Sequence, residues 1–321
     1  MGHLAALPAS ATATTAKAAG HVRGRGIRGT TLWFWIFVGP FLIGLGVFTY
    51  VPMVWSLVLS FFDAQNTVTP TRFVGVRNYA DLLTTGPFVS SLWTFTLFAI
   101  FIVPTTFALS LGLALLLNRA RFMRAFFRSV FFLPTACSYV VACLVWRLSI
   151  FNGLRFGLAN TVLGWFGVDQ IAWLSVPSPP WYWIPIVTAR LWLQAGFYMI
   201  LFLAALQQIS PELYEAAYVD GAKSGWQTFR YITFPQLRTT SVAVLLLLLI
   251  AAYQAFDEFY NMLTINQPFA RPPLEYLYYT ALGSGQDFGH GSAGALMLAL
   301  LIAIISLFQA KVLGLGRSAA A

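Results

Sequence analysis

The feature that most constrains this chain is a series of long apolar stretches without a single charged residue. Each is about 18 residues or longer, which is enough for a helix to cross the hydrocarbon core of a bilayer. Charged residues make up only 9% of the chain, against roughly 25% in soluble domains. The pattern therefore predicts an all-α integral membrane protein with about six transmembrane helices. The uncharged stretches are 29–62, 82–118, 129–146, 191–211, 239–256 and 288–310.

Turn-forming residues and hydropathy together set the predicted helix boundaries. The connection 151–180 contains Asn-Gly and a Pro-Ser-Pro-Pro cluster, which favour turns over a helix. Dividing 171–206 into two spans is an alternative, but it would place the basic segment that follows outside the cell. The predicted spans are 32–59, 88–117, 125–150, 181–206, 241–263 and 292–313.

The basic residues are unevenly distributed along the chain. The net charge is +9, and most of that charge precedes the first span, follows the last, or lies in the second and fourth connections. This bias is the positive-inside pattern, which predicts cytoplasmic termini in a multi-pass protein of the plasma (inner) membrane. Membrane topology therefore accounts for the positive net charge of the chain, and we do not interpret that charge as a nucleic-acid-binding surface. We predict a disordered cytoplasmic tail at 1–30 and a transmembrane domain at 31–321.

The segment 207–238, between the fourth and fifth spans, is predicted to form two short helices on the cytoplasmic side. Ser210 is a good N-cap, and Gly221 can end the first helix in a left-handed conformation. Ser224 begins a capping-box pattern for the second helix, which we expect to stop before Pro235. Such a hairpin could simply lie on lipid headgroups.

The same segment resembles the conserved cytoplasmic loop of ABC importer permeases. Similarity extends over about 37–313 and is closest to the maltose-type permeases of the sugar and glycerol-phosphate branch. Thr239 departs from the family pattern, as does 265–268, although neither position alters the class. The residues that match the loop pattern are Glu215, Ala216, Ala217, Asp220, Gly221, Ala222, Phe229, Ile232 and Pro235.

The resemblance implies a permease subunit of an ATP-driven importer. Its expected partners are a second permease subunit, two ATPase subunits, an extracytoplasmic solute-binding protein and membrane lipid. ATP and Mg would bind the ATPase partners, and we expect no cofactor, metal or catalytic residue on this chain. The implied solute is a disaccharide or oligosaccharide, with glycerol phosphate as the alternative solute. The alternative functions are a secondary carrier and a membrane-embedded regulatory or assembly subunit. The implied ATPase-coupling residues are Glu215, Ala216, Ala217, Asp220, Gly221 and Ala222.

Polar and aromatic side chains within the fourth and fifth spans are the candidate substrate pathway. Aromatic faces and amide or carboxylate groups suit a sugar, although the same groups also serve packing between helices. If the fifth span is one continuous helix, 253, 257 and 260 share a face. Arg190 either lines the pathway or pairs with Asp257 or Glu258. The predicted pathway residues are Trp192, Gln194, Tyr198, Tyr253, Gln254, Asp257 and Asn261.

Overall fold

The structure, a computed structural model, describes residues 27–120, 122–223, 225–263, 270–283 and 285–313. The described residues up to Trp55 and those from Ser56 onward form separate compact units. Most of the predicted tail, Ser224 and 265–268 lie outside the described residues. In the first half of the chain the elements are α1 (Ile27–Leu45), α2 (Val51–Leu59), β1 (Phe62–Asp63), β2 (Arg72–Phe73), α3 (Arg77–Thr84), α4 (Gly86–Arg119), α5 (Arg124–Phe132), α6 (Tyr139–Val145) and α7 (Leu158–Gly164).

The second half of the described chain is also helical. Four helical segments of the described chain are long and apolar enough to cross a membrane, and six if each sharply bent pair counts as one span. The predicted all-α membrane fold with about six spans is therefore confirmed. The elements are α8 (Trp183–Leu206), α9 (Pro211–Val219), α10 (Trp226–Thr228), α11 (Phe234–Gln236), α12 (Arg238–Tyr253), α13 (Asp257–Met262), α14 (Pro273–Leu282) and α15 (Phe288–Leu313).

The third predicted span is broken rather than continuous. Its two halves, Arg124–Ala136 and Tyr139–Ile150, meet at an angle of 97°. Pro134 lies in the short 3₁₀ turn that ends the first half, and proline removes a backbone donor and clashes with the preceding helical turn. The prediction of one helix over 125–150 was wrong because hydropathy does not register this break.

The outer connection 151–180 contains a helix, α7, where only turns were predicted. Asn160 on α7 is buried, and it organises the loop around itself. Its amide group donates to the carbonyls of Asn152, Leu154 and Ile171, and its carbonyl accepts from the Ile171 amide and the Trp173 indole, at 3.0–3.3 Å. The loop is ordered by one polar side chain, which a reading of turn propensity cannot reveal.

Two prolines lie inside helical segments directly after a widened turn. Val51 donates to the Gly46 carbonyl and Phe234 to the Phe229 carbonyl, both five residues back, just before Pro52 and Pro235. The wider turn moves away the carbonyl that a proline ring would otherwise strike. The helix consequently continues through Gln236, and the prediction that it stops before Pro235 was wrong.

The fifth predicted span is also interrupted. Its first part, α12, has 16 residues, about 24 Å of rise, which is shorter than the roughly 30 Å hydrocarbon core. The chain leaves helical geometry at 254–256 and resumes in α13. The prediction of one helix over 241–263 was therefore wrong.

Helices α4 and α8 form the centre of the second unit. The Ser110 hydroxyl on α4 donates to the Ala195 carbonyl on α8 at 3.1 Å. Beside that contact, a side chain at Gly196 would come within 1.9 Å of the Phe131 carbonyl, so α8 passes against the broken third span at a position that only glycine allows. Buried aromatic rings, including Phe95 and Phe202, fill the remaining space.

Candidate functional site

The first helix of the inner segment (207–238), α9, is capped at both ends by the predicted residues. The Ser210 hydroxyl accepts a hydrogen bond from the Glu212 amide at 3.3 Å. At the other end Gly221 has φ +85°; its amide donates to the Tyr218 carbonyl, and the Ala222 amide donates to the Ala217 carbonyl at 2.8 Å. This pair of bonds is a Schellman motif, which requires the left-handed residue that glycine supplies.

The helix α9 has two different faces. Glu215, Ala216, Val219 and Asp220 are exposed, and Val219 exposes 87% of its surface. On the opposite face the Tyr214 hydroxyl shares a hydrogen bond with the Thr233 hydroxyl at 3.2 Å, which ties α9 to the following helical segment. The exposed face therefore combines carboxylates with small and apolar side chains.

The six predicted coupling residues do not all lie on that face. Ala217 and Ala222 are half-buried and bond to each other through the backbone, so they close the turn. Gly221 is exposed in the turn after α9, and no atom lies within 4 Å of the position that a side chain would occupy there. Only Glu215, Ala216 and Asp220 of the predicted set offer an exposed side chain to another protein.

A second turn precedes α10. Gly225 has φ +102°, and the Lys223 amide donates to the Gln227 side-chain oxygen at 2.8 Å. The Thr228 hydroxyl donates to the Lys223 carbonyl at 3.1 Å. The Gln227 side chain thus accepts from the residue before Ser224, the predicted N-cap. Ser224 itself lies outside the described residues, so the capping box stays a prediction.

The predicted pathway residues differ in exposure. Trp192, Gln254 and Asp257 are exposed. Gln194 and Asn261 are half-buried, and the Gln194 side-chain oxygen is buried without a hydrogen-bond partner in the described chain. An unpaired buried acceptor is costly.

Tyr198 and Tyr253 are buried, with 5% and 3% of their surface exposed. The Tyr253 hydroxyl donates to the Thr96 hydroxyl at 3.3 Å, and its ring contacts Phe95 edge-on. These contacts give Tyr253 a packing role. The expectation that 253, 257 and 260 share a helix face was wrong, because the break at 254–256 separates the first position from the other two.

A buried ion pair lies beside that break, between Arg190 on α8 and Glu258 on α13. A second guanidinium nitrogen of Arg190 donates to the Ala251 carbonyl on α12 at 2.6 Å, and the guanidinium lies 5.7 Å from the centre of the Phe98 ring. One arginine therefore binds both sides of the interruption. Of the alternatives open from the sequence, Arg190 pairs with Glu258 rather than Asp257; Glu258 was not among the predicted site residues.

Two cavities accompany these elements. One of about 740 Å³ lies between the inner ends of α4 and α8 and the inner segment. The other, of about 480 Å³, is lined by Phe98, Tyr182 and Trp183, and none of the predicted pathway residues contributes to it. Within the described residues, no group of three or more His, Cys, Asp or Glu side chains could hold a metal ion.

Comparison with protein families places these features in a known context. Residues 105–312 match the family model described as the binding-protein-dependent transport system inner membrane component. The matched region covers well over half of the chain. This protein belongs to that family.

Related permeases match over most of their lengths. The probable starch degradation products transport permease of Thermoanaerobacterium thermosulfurigenes is 29% identical over 280 residues, covering 87% of this chain and 92% of the relative. The trehalose/maltose transport permease of Thermococcus litoralis is 30% identical over 278 residues, with the same two coverages. The lactose transport permease of Rhizobium radiobacter is 30% identical over 281 residues, covering 86% and 92%.

A solved structure shares the fold of this permease. The crystal structure of a bacterial ABC transporter for import of the acidic polysaccharide alginate contains a chain that superposes with a TM-score of 0.78 at 23% identity, covering 89% of this chain and 96% of that one. The family match includes both the inner segment and the Arg190–Glu258 pair. Both features therefore lie in the permease core.

Proposed function

We propose that this permease imports a carbohydrate, of disaccharide or oligosaccharide size, as one half of a channel completed by a second permease. Two ATPase subunits would supply the energy, with ATP and Mg bound on them, and an external solute-binding protein would deliver the solute. The observation that carries the coupling part of the proposal is the exposed face of α9. It presents Glu215, Ala216 and Asp220 beside an exposed Val219.

The geometry of the inner segment suits docking into a groove of a partner. A helix held by caps at both ends loses little conformational freedom on binding. The exposed Val219 supplies apolar area, and Glu215 supplies a charge for a basic side chain of the ATPase. The bond between Tyr214 and Thr233 would pass a displacement of α9 to the segment leading into α12.

The carbohydrate assignment rests on the relatives, whose names refer to starch products, trehalose or maltose, and lactose. The exposed Trp192 offers a ring face for a sugar, while Gln254 and Asp257 offer polar groups for hydroxyls. The pairing of Arg190 with Glu258 argues for a neutral sugar over glycerol phosphate, because that arginine already has its counter-charge.

The proposal can be tested with the complex reconstituted in proteoliposomes together with its external binding protein. ATP enclosed with the ATPase subunits is expected to drive uptake of a labelled oligosaccharide, and a complex with an inactive ATPase is expected to take up none. Uptake driven by a proton or sodium gradient without ATP would identify a secondary carrier and contradict the proposal.

A further inference from the structure

The larger cavity, of about 740 Å³, lies where two spans end. Helix α4 ends at Arg119 and α8 ends at Leu206, and both residues line the cavity. The aromatic face of α9, with Tyr214 and Tyr218, forms another wall. By the charge bias this is the cytoplasmic boundary of the membrane. The cavity is thus at the depth of the inner lipid headgroups.

The lining is divided between apolar and polar groups. Leu116 lines the cavity and exposes 70% of its surface, and Trp226, also a lining residue, exposes 72%. Asn118 and Arg119 supply polar and cationic groups beside them. Apolar side chains beside a cation match a phospholipid, whose acyl chain and charged headgroup meet at that depth.

The local charge favours an anion. Arg124 donates to the Asn118 carbonyl and to the Ala120 carbonyl, the latter at 3.2 Å, so a second guanidinium stands at the C-terminal end of α4. The carboxylates of α9 point elsewhere, since Glu215 and Asp220 occupy the face opposite Tyr214. Basic pockets between spans on the cytoplasmic side are suited to anionic headgroups.

We propose that this cavity binds the headgroup of an anionic phospholipid from the inner leaflet, with its phosphate at Arg119 and its acyl chain along Leu116. The lipid would then lie between the end of α4 and the helix that carries the exposed coupling face. This proposal does not depend on which solute the permease carries.

The test uses the purified full transporter complex, delipidated in detergent and titrated with phosphatidylglycerol or phosphatidylcholine while bound lipids are counted by native mass spectrometry. Arg119→Gln removes the cavity charge, and Leu116→Trp fills the apolar wall from an exposed position. Arg128→Gln removes an exposed charge from α5, which follows the same basic connection, outside the cavity lining.

Wild-type complex is expected to retain phosphatidylglycerol in preference to phosphatidylcholine. Arg119→Gln should weaken that binding about fivefold, the effect of one basic residue near an anionic lipid, and Leu116→Trp should also weaken it, while Arg128→Gln should leave it unchanged. Equal binding of both lipids, wild-type binding by Arg119→Gln and Leu116→Trp, or an equal loss in Arg128→Gln would overturn the proposal. Displacement of the lipid by millimolar inorganic phosphate would assign the cavity to a free anion instead.

Discussion

Arg190 and Glu258 form an ion pair in which both side chains are almost completely buried, with only 3% and 2% of their surface exposed. The same arginine binds the Ala251 carbonyl. At a break in a spanning helix, carbonyls lose their helical partners, and each one left unsatisfied in a bilayer costs several kcal/mol. The pair therefore serves the interrupted fifth span, because Arg190 satisfies a carbonyl before the break and binds a carboxylate after it.

Removing either partner of this pair is expected to destabilise the permease by about 3–5 kcal/mol, because the other charge is left buried and unpaired. We expect Arg190→Met and Glu258→Leu each to lower the thermal unfolding midpoint of the purified complex. The double variant should recover part of the loss. If each single variant melted like the wild type, the pair would have no structural role at the break.

Gly221 is expected to tolerate only residues that accept a left-handed conformation. Its φ of +85° should cost a β-branched residue at least about 1–2 kcal/mol, so Gly221→Val should reduce solute-stimulated ATPase activity of the reconstituted complex. Gly221→Asn should retain most of it, and Glu215→Ala should weaken it through the docking contact. Wild-type stimulation in Gly221→Val and Glu215→Ala would remove the inner segment from the coupling pathway.

Exposure divides the candidate pathway residues into those able to touch a solute and those that pack. Gln254→Ala and Asp257→Ala are each expected to raise the half-saturation concentration of uptake about fivefold, the effect of losing one hydrogen bond of roughly 1 kcal/mol. Trp192→Ala should raise it by removing a ring face for the sugar. Tyr198→Phe and Tyr253→Phe serve as buried controls that should leave uptake kinetics unaltered. Unchanged kinetics in all three exposed variants would place the solute contacts in the partner permease.

Membrane orientation can be checked by labelling single cysteines in a Cys137→Ser, Cys143→Ala background. Arg128→Cys, on α5 next to the basic connection, should react with an impermeant thiol reagent only from the cytoplasmic side, as the charge bias predicts. Thr69→Cys, in the exposed segment between β1 and β2, should react only from outside. The reverse pattern would invert the topology.

Glu275, on α14 between the fifth and sixth spans, should make stability depend on pH. Burial raises the pKa of Glu275 from 4.5 to about 7, although Arg271 partly opposes the shift. Between those pH values the folded protein holds a proton that the unfolded chain has lost, so stability is highest below pH 4.5 and falls as pH rises to about 7.

At pH 8, Glu275→Gln should therefore raise the unfolding midpoint, by an amount corresponding to roughly 3 kcal/mol, and flatten its pH profile. Glu212→Gln, at an exposed position on α9, provides the matched control and should keep the wild-type profile. A pH profile that is identical in Glu275→Gln and wild type would mean that Glu275 does not carry this dependence.

Several features followed from the sequence because they depend on local composition. Apolar length and charge bias predicted the membrane class and about six spans, since the cost of charge in hydrocarbon acts on each segment separately. The caps of α9 at Ser210 and Gly221 were also predicted correctly, because a cap depends on residues within one turn of the helix end.

The tertiary structure decided what depends on distant residues. The breaks in the third and fifth spans could not be predicted from hydropathy, because a broken helix is stable in a membrane only where another element satisfies its exposed backbone groups. In the fifth span, Arg190 donates a hydrogen bond to the Ala251 carbonyl before the break, although the two residues are 61 positions apart in sequence. The packing of α8 against α12 and α13 decides which carboxylate pairs with Arg190. It also decides which pathway residues remain exposed. Two side chains can be equally polar in the sequence and differ only in the atoms that surround them in the fold.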